Sequence, residues 1–344
     1  MPPRFTTISD IAKVVGVSPS VVSFVLNGSS GKAKRYCSEP LRRKIEETAL
    51  KLNYIHSNAA ATLKGRSRNL MAVLLPQFLN EFFTQMTLEI EKGLEQEGYM
   101  LSICNTFDDP VREASIIKRA CEQRVDGIFI VPAPNTDPFT LNVIKSGMPL
   151  VVMDRHFASE SNDYHCVLTS NYDSARLATL ELKYAGLQNI ALINWKREFG
   201  GLAERKRGFL DALYDFKPHQ YQIYDGDFSE DQGYELTQRA CEENPALEGI
   251  VYSNQILARK GIDYLLKTGR IPGRNFSVAM VGAPKWAKSG LSDFTCVDIN
   301  GPGIGQRAAQ IMLSIIKVEY QEQQYIKEYV PCLLCHGNSI VKKI

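Results

Sequence analysis

Histidine is scarce. The five residues, His56, His156, His165, His219 and His336, are scattered over 344 positions without a spacing that would hold a metal ion. A Gly-x-Ser-x-Gly nucleophile turn is missing, and so is a Gly-x-x-x-x-Gly-Lys-Ser/Thr phosphate loop. No catalytic set, metal site or cofactor is therefore expected. Long apolar runs are missing too. None approaches the ~20 residues that span a bilayer, and the N-terminus lacks the charged-then-apolar layout of an export signal. A cytoplasmic chain without a membrane partner is expected, and its eight cysteines should be free thiols.

The net charge of +2 hides an asymmetry. Residues 1–68 hold twelve lysines and arginines against four acids, a charge of +8, which leaves −6 for the remainder. A basic head on an acidic body suits phosphate-backbone binding by the head alone. A length of 344 residues exceeds one ordinary core, so two or three domains are expected.

Thr6 to Gly28 organises the head. Thr7 is a good N-cap, and Asp10 three residues on completes a capping box with Asp in place of Glu. Ile8, Ile11, Ala12 and Val15 recur at helical spacing, and Gly16 suits the left-handed residue that ends a helix. Ser18 caps a second helix with Pro19 in its first turn, and Val21, Val22 and Val25 give it an apolar face. Two helices around a short Gly-containing turn predict a helix-turn-helix. A polar, basic loop follows, whose Lys32 and Lys34 can reach phosphates. A third helix is predicted from Ser38 to Leu52, with Leu41, Ile45, Thr48, Ala49 and Leu52 as its buried stripe.

The wording TISDIAKVVGVSPSVVSFVLNG resembles the N-terminus of LacI-family transcription regulators, and the resemblance runs from about Thr6 to Ser339. It implies that Thr7, Ser18, Ser20, Val21, Ser23, Phe24, Asn27 and Tyr54 belong to a DNA-contacting surface. Ser20 stands where relatives reach base edges, and Ser23 and Asn27 are candidates for phosphate contact. Phe24 stands where many relatives carry arginine. Arginine pairs with guanine, whereas phenylalanine can only touch a thymine methyl, so a different half-site is expected. Residues 55–65 resemble the family's hinge helix, which enters the minor groove when paired across a dimer. Leu63 then falls on the wedge that kinks the duplex, with Asn58, Ala60 and Lys64 beside it. His56 replaces the usual proline there. An isolated helix this short is unstable in water, so it should fold only on DNA.

From Asn69 the texture changes to apolar strands spaced by helices, which indicates parallel, doubly wound sheets. The closing strands are expected near Thr295–Asp298 and Glu328–Cys332. The expected fold is thus an all-α helix-turn-helix head plus an α/β sensor, two doubly wound parallel-sheet subdomains of the periplasmic-binding-protein type. The expected divisions are a head at 1–55, a hinge at 56–68 and a core at 69–344. Within the core, an N-subdomain would take about 69–168 and 300–329, and a C-subdomain about 169–299 and 330–344.

Ligands in such folds sit at the carboxyl ends of the strands. The resemblance places Phe82, Phe83, Asp154, Arg205 and Asn254 at the effector. Arg205, three before Gly208 in Arg-Lys-Arg-Gly-Phe, would grip an oxygen with its fixed donors. The family's carboxylate loop reads Gly282-Ala283-Pro284-Lys285-Trp286 here, and Gln255 replaces another common aspartate. The loss of carboxylates counts against a plain sugar; Lys285 and Arg205 could face a phosphate or carboxylate with Trp286 stacking, and a vestigial pocket is the alternative.

Two motifs are decoys. Cys332-Leu333-Leu334-Cys335-His336 matches the covalent haem pattern, but that chemistry belongs to exported proteins. Gly301-Pro302-Gly303-Ile304-Gly305 lacks the strand–turn–helix spacing of a dinucleotide loop and fits a closely packed helix start. The expected function is a sequence-specific DNA-binding regulator, a repressor. It would act as a homodimer on a pseudo-palindromic double-stranded operator, under a small-molecule effector (sugar, sugar phosphate or other metabolite). The alternative is a small-molecule binding protein with no DNA role.

Overall fold

A computed structural model describes residues 5–26, 37–55, 67–135, 137–157, 163–196, 201–289, 293–317 and 325–343. The chain forms two compact units, Met1–Arg68 and Asn69–Ile344.

The first unit holds helices α1 (Ile8–Val15), α2 (Pro19–Leu26) and α3 (Glu39–Lys51). The Thr7 amide donates to Asp10 Oδ2 at 2.9 Å and the Asp10 amide to Thr7 Oγ1 at 3.3 Å, which closes the capping box. Gly16 ends α1 at φ 81°, a conformation that favours glycine. Ser38 occupies the N-cap of α3, but its side chain makes no capping bond. Ile11, Ala12, Val15, Val22, Val25, Ile45 and Ala49 form the core, with Leu41, Leu52 and Tyr54 at its edge.

The second unit contains two six-stranded sheets. In the first lobe the elements are β1 (Leu70–Leu75), α4 (Glu81–Glu95), β2 (Met100–Asn105), α5 (Pro110–Glu122), β3 (Gly127–Ile130), α6 (Pro138–Lys145), β4 (Leu150–Asp154) and β5 (His165–Thr169). The second lobe has α7 (Asn171–Tyr184), β6 (Ile190–Trp195), α8 (Ala203–Ala212), β7 (Tyr221–Gly226), α9 (Glu230–Glu243), β8 (Gly249–Tyr252), α10 (Gln255–Lys267), β9 (Ser277–Val281) and β10 (Thr295–Asp298). The chain then returns to the first lobe as α11 (Gly301–Ile316) and β11 (Lys327–Val330), and finishes in the second as β12 (Leu333–Cys335). The strand orders are β11-β5-β4-β3-β1-β2 and β12-β10-β9-β8-β6-β7, the same winding twice. Every pairing is parallel except β10–β12, so the second sheet has one antiparallel edge strand that the sequence pattern did not predict.

The expected single strand near Glu328–Cys332 is corrected to β11 and β12, one in each sheet. Pro331 sits at the break, where it has no amide to give a ladder. Strand β5 was not anticipated at all. Glycine sets one close approach that the sequence did suggest. A Cβ on Gly305 would lie 2.1 Å from the Met86 carbonyl oxygen, so α11 can pack on α4 only with glycine there.

Candidate functional site

In the head, Ser18 and Ser20 are exposed at the first turn of α2, and the Ser18 carbonyl accepts from the Val21 amide at 3.1 Å. Phe24 is 39% exposed on the same helix, while Val21 and Ser23 are half-buried between that face and the core. Thr7 spends its hydroxyl inside the head, donating to Asp10 Oδ2 at 2.7 Å. Tyr54 packs at the edge of the head core. Asn27, Lys32, Lys34, Asn58, Ala60, Leu63 and Lys64 lie outside the described residues.

In the core, a cavity of about 320 Å³ opens where the carboxyl ends of the two sheets converge. Doubly wound sheets present loops and helix N-termini at that end, which makes it the place for a ligand. Phe82, Phe83, Asp154, Arg205 and Asn254 all line it. Each arrives on a recognisable local device. The Asn80 side chain caps α4 by accepting from the Phe82 amide at 3.1 Å, which fixes the start of the Phe82–Phe83 pair. Asp154 ends β4 in the left-handed region at φ 66°. Its carboxylate accepts from Thr169 Oγ1 at 2.6 Å, and burial raises its carboxyl above the ordinary value against the pull of Arg155, Thr169 and Arg205.

Arg205 is buried. Its Nε donates to Asn171 Oδ1 at 2.8 Å and its Nη1 to the Ser253 carbonyl at 2.6 Å. Burial lowers the guanidinium to about 10, with Asp154 opposing, so it stays charged at neutral pH. Asn254 caps α10, its Oδ1 accepting from the Ile256 and Leu257 amides at 3.0 and 2.9 Å. Its buried Nδ2 meets no partner. Leaving such a donor unpaired costs about 1–3 kcal/mol, and Asn254 also lines the cavity.

Lys285 and Trp286 do not line this cavity, which corrects their assignment. The short helical turn Lys285–Ala287 places Lys285 at the rim, against the lining residue Glu81, and Trp286 on the second lobe's core. The Lys285 amide donates to Glu81 Oε2 at 3.2 Å and its ammonium lies 3.4 Å from Glu81 Oε1. Trp286 instead packs on Phe294, ring centroids 6.0 Å apart, against the second lobe's core. Only Gly282, Ala283 and Pro284 of that loop reach the cavity.

Several lining residues were not predicted. Trp195 and Phe228 stack at 4.6 Å from the second lobe, and Phe107 faces them from the first. Phe107 and Asp108 are consecutive residues at φ 57° and 58°, a left-handed pair that non-glycine residues rarely adopt. Arg155 anchors that turn, donating through Nη2 to Asp108 Oδ1 and through Nε to the Pro132 carbonyl at 2.9 Å. Local sequence carried no signal for the turn, because it depends on a partner 47 residues away. Among the described lining residues the carboxylates Glu81, Asp108, Asp154 and Asp298 outnumber the arginines Arg155 and Arg205. Both arginines also bond protein oxygens, Arg205 through Nε and Nη1 and Arg155 through Nε and Nη2.

Two direct bonds join the lobes across the mouth. Gln255 Nε2 donates to Asn80 Oδ1 at 3.0 Å, and Lys285 meets Glu81 as above. No single helix among the described residues is long and apolar enough to cross a membrane.

The family described as periplasmic binding proteins and sugar binding domain of LacI family matches residues 69–332. That described as bacterial regulatory proteins, lacI family, matches residues 7–57. The chain is 26% identical to "Probable HTH-type transcriptional regulator EndR" of Paenibacillus polymyxa, covering 98% of this chain and 99% of that one. It is 27% identical to the HTH-type transcriptional repressor PurR of Aliivibrio fischeri, over 92% and 94%. The Lac repressor dimer bound to operator and the anti-inducer ONPF superposes with a TM-score of 0.82 at 21% identity, over 98% and 99%.

Proposed function

The chain belongs to the LacI family of regulators, and on that premise we propose that it is a DNA-binding repressor controlled by a small molecule held between the two lobes of its core. The observation that carries this is the cavity at the converging strand ends, with the unpaired Asn254 Nδ2 and the anchored Arg205 at its wall. Relatives that are transcriptional regulators suit a sensor rather than an enzyme.

The lining favours a neutral, hydroxyl-bearing effector with flat apolar faces. Phe82, Phe107, Trp195 and Phe228 supply platforms, and Arg205 and Asn254 supply donors. The carboxylates at the wall would accept from hydroxyls and would repel a phosphate, so a sugar fits better than a sugar phosphate.

DNA is read by α2, with Ser18, Ser20 and Phe24 at its outer face. The homodimer is supported by an apolar strip on the first lobe. Edge strand β2 exposes Met100 and Ile103, and Val111 at the start of α5 is exposed as well. A bare apolar edge strand in a monomer invites pairing or aggregation, and a second copy covers it. Such a protein works in the cytoplasm, with the DNA.

The test is selection from a random duplex pool by the full-length protein at low and physiological salt. Recovery of a palindrome of roughly 14–20 base pairs is expected, since two heads must meet half-sites about one or more helical turns apart. If nothing specific is recovered with or without added cell metabolites, while the core still binds a sugar, the chain is a binding protein without a DNA role.

A further inference from the structure

The pattern Cys332-Leu333-Leu334-Cys335-His336 is taken apart by the fold. Cys332 packs against the cluster on one face of the second sheet, among residues such as Leu182 and Val297. Cys335 packs against the cluster on the other face, which contains Cys296. The two cysteines of the motif are thus on opposite faces and do not act together.

The partner of Cys335 is Cys296. The two residues stand directly opposite each other in the antiparallel β10–β12 pair. Opposed residues in such a pair have Cα atoms about 4.5–5.5 Å apart, inside the window that a disulfide spans. Both side chains pack in one apolar cluster, Cys335 Sγ donates to the Leu333 carbonyl at 3.8 Å, and the Lys288 ammonium lies close enough to Cys335 to feel its charge. Cys296 is wholly buried, whereas Cys335 is half-buried at the sheet edge. All eight cysteines are free. We propose that Cys296 and Cys335 form an oxidant-responsive dithiol, with Cys335 as the attacking sulfur, Lys288 as its counter-charge and Cys296 as the resolving thiol.

The roles follow from the surroundings. Burial pushes the Cys296 thiol up to about 12, so Cys296 stays protonated and cannot be the first to attack. Lys288, raised above its ordinary value chiefly by Cys335, stands as a positive charge beside that sulfur. With a peroxide as oxidant, the Cys335 thiolate attacks one peroxide oxygen. The O–O bond breaks and hydroxide leaves, taking up the proton that the thiol gave, so one water is released. Cys335 is then a sulfenic acid. The sulfur of Cys296 attacks the Cys335 sulfur, its proton leaves with the hydroxyl as a second water, and the disulfide is formed. Two thiols are oxidised by two electrons and one peroxide is reduced. A dithiol reductant reverses the step. The bond ties β12 covalently to β10, the strand that ends at Asp298.

Full-length protein is treated with hydrogen peroxide, its remaining thiols are trapped with N-ethylmaleimide, and non-reduced peptides are mapped by mass spectrometry. The expected product joins Cys296 to Cys335 and disappears with dithiothreitol. In Cys296→Ala, Cys335 should accumulate as a sulfenic acid that dimedone labels. In Lys288→Gln, alkylation of Cys335 by iodoacetamide should slow by roughly threefold or more as the counter-charge is lost. A linkage of Cys332 to Cys335, or Cys296 and Cys335 both still alkylated after peroxide has oxidised Cys37, overturns the proposal. The wild-type map alone decides this, whether or not the variants fold.

Discussion

Glu113 should make the core less stable as pH rises from about 4.5 to about 7, and Glu113→Gln should abolish that loss. Glu113 lies on α5 beneath the cavity wall, with no exposed surface. Its Oε2 accepts from the Ala133 amide at 2.6 Å, and its Oε1 meets no partner. Burial dominates and pushes the carboxyl from 4.5 to about 7, while the Ala133 amide and Arg155 pull it down and Asp108 pushes it up. The folded value lies above the unfolded one, so between about 4.5 and 7 the fold binds a proton that the unfolded chain has released. Stability therefore falls across that window and is level above it. At ~1.4 kcal/mol per tenfold, the loss is about 3 kcal/mol. Glutamine keeps the acceptor for Ala133 and removes the titration. The assay is urea unfolding from pH 4 to 9 followed by tryptophan fluorescence. Both tryptophans, Trp195 and Trp286, lie in the core unit, so the signal reports that unit alone. The wild-type stability minus that of the variant should drop by about 3 kcal/mol as pH rises from 4.5 to 8. A difference that stays flat over the range would refute the reasoning.

Arg205→Ala removes both bonds to Asn171 and Ser253 and leaves Asp154 short of a counter-charge. Effector binding measured by calorimetry should be lost, while Arg155 and the Thr169 hydroxyl still support the Asp154 carboxylate. Binding that survives at wild-type affinity would move the ligand elsewhere. Lys285→Ala should change effector affinity by less than about fivefold, because an exposed ion pair contributes little and Lys285 lies outside the cavity. A loss of a hundredfold in the same titration would restore the anionic-effector reading. Gly208→Ala places a Cβ 2.2 Å from the Tyr172 carbonyl oxygen, backbone that cannot swing aside. Helix α8 must then lift from α7, a cost of about 1–3 kcal/mol that a lower melting temperature would show. An unchanged melting temperature would mean that the helices do not pack this closely.

Much of the fold was legible because it rests on local chemistry. The capping box at Thr7 and Asp10, the left-handed Gly16 and the apolar runs of β1, β4 and β9 are each decided within a few residues. The crossovers were less legible. The stretch 327–335 looks like one strand by composition, yet it divides between two sheets, because strand partners are chosen by the tertiary fold. The candidate site divided along the same line. Residues at strand ends or helix starts, such as Asp154, Arg205 and Asn254, reached the cavity as their motifs suggested. Lys285 and Trp286 did not, because the turn after Pro284 directs one to Glu81 and the other to Phe294. The Phe107–Asp108 turn was invisible in sequence, since its left-handed backbone is held by Arg155.

The position of the inter-lobe bonds bears on how a ligand could act. Asn80 and Glu81 are adjacent at the start of α4, and both face partners on the second lobe, Gln255 and Lys285. All but Lys285 also line the cavity. A ligand that enters must therefore either join these bonds or displace them. A ligand shifts a conformational equilibrium only by the difference in its affinity for the two states. Asn80, Glu81 and Gln255 both join the lobes and line the cavity, so a ligand held by them would couple its affinity to the lobe angle by contact. The coupling is reciprocal, since whatever fixes the lobe angle must alter ligand affinity by the same factor. Asn80→Ala frees Gln255 without touching the Arg205 anchor. It also removes the cap that accepts from the Phe82 amide, so the change loosens the lobes and the start of α4 together.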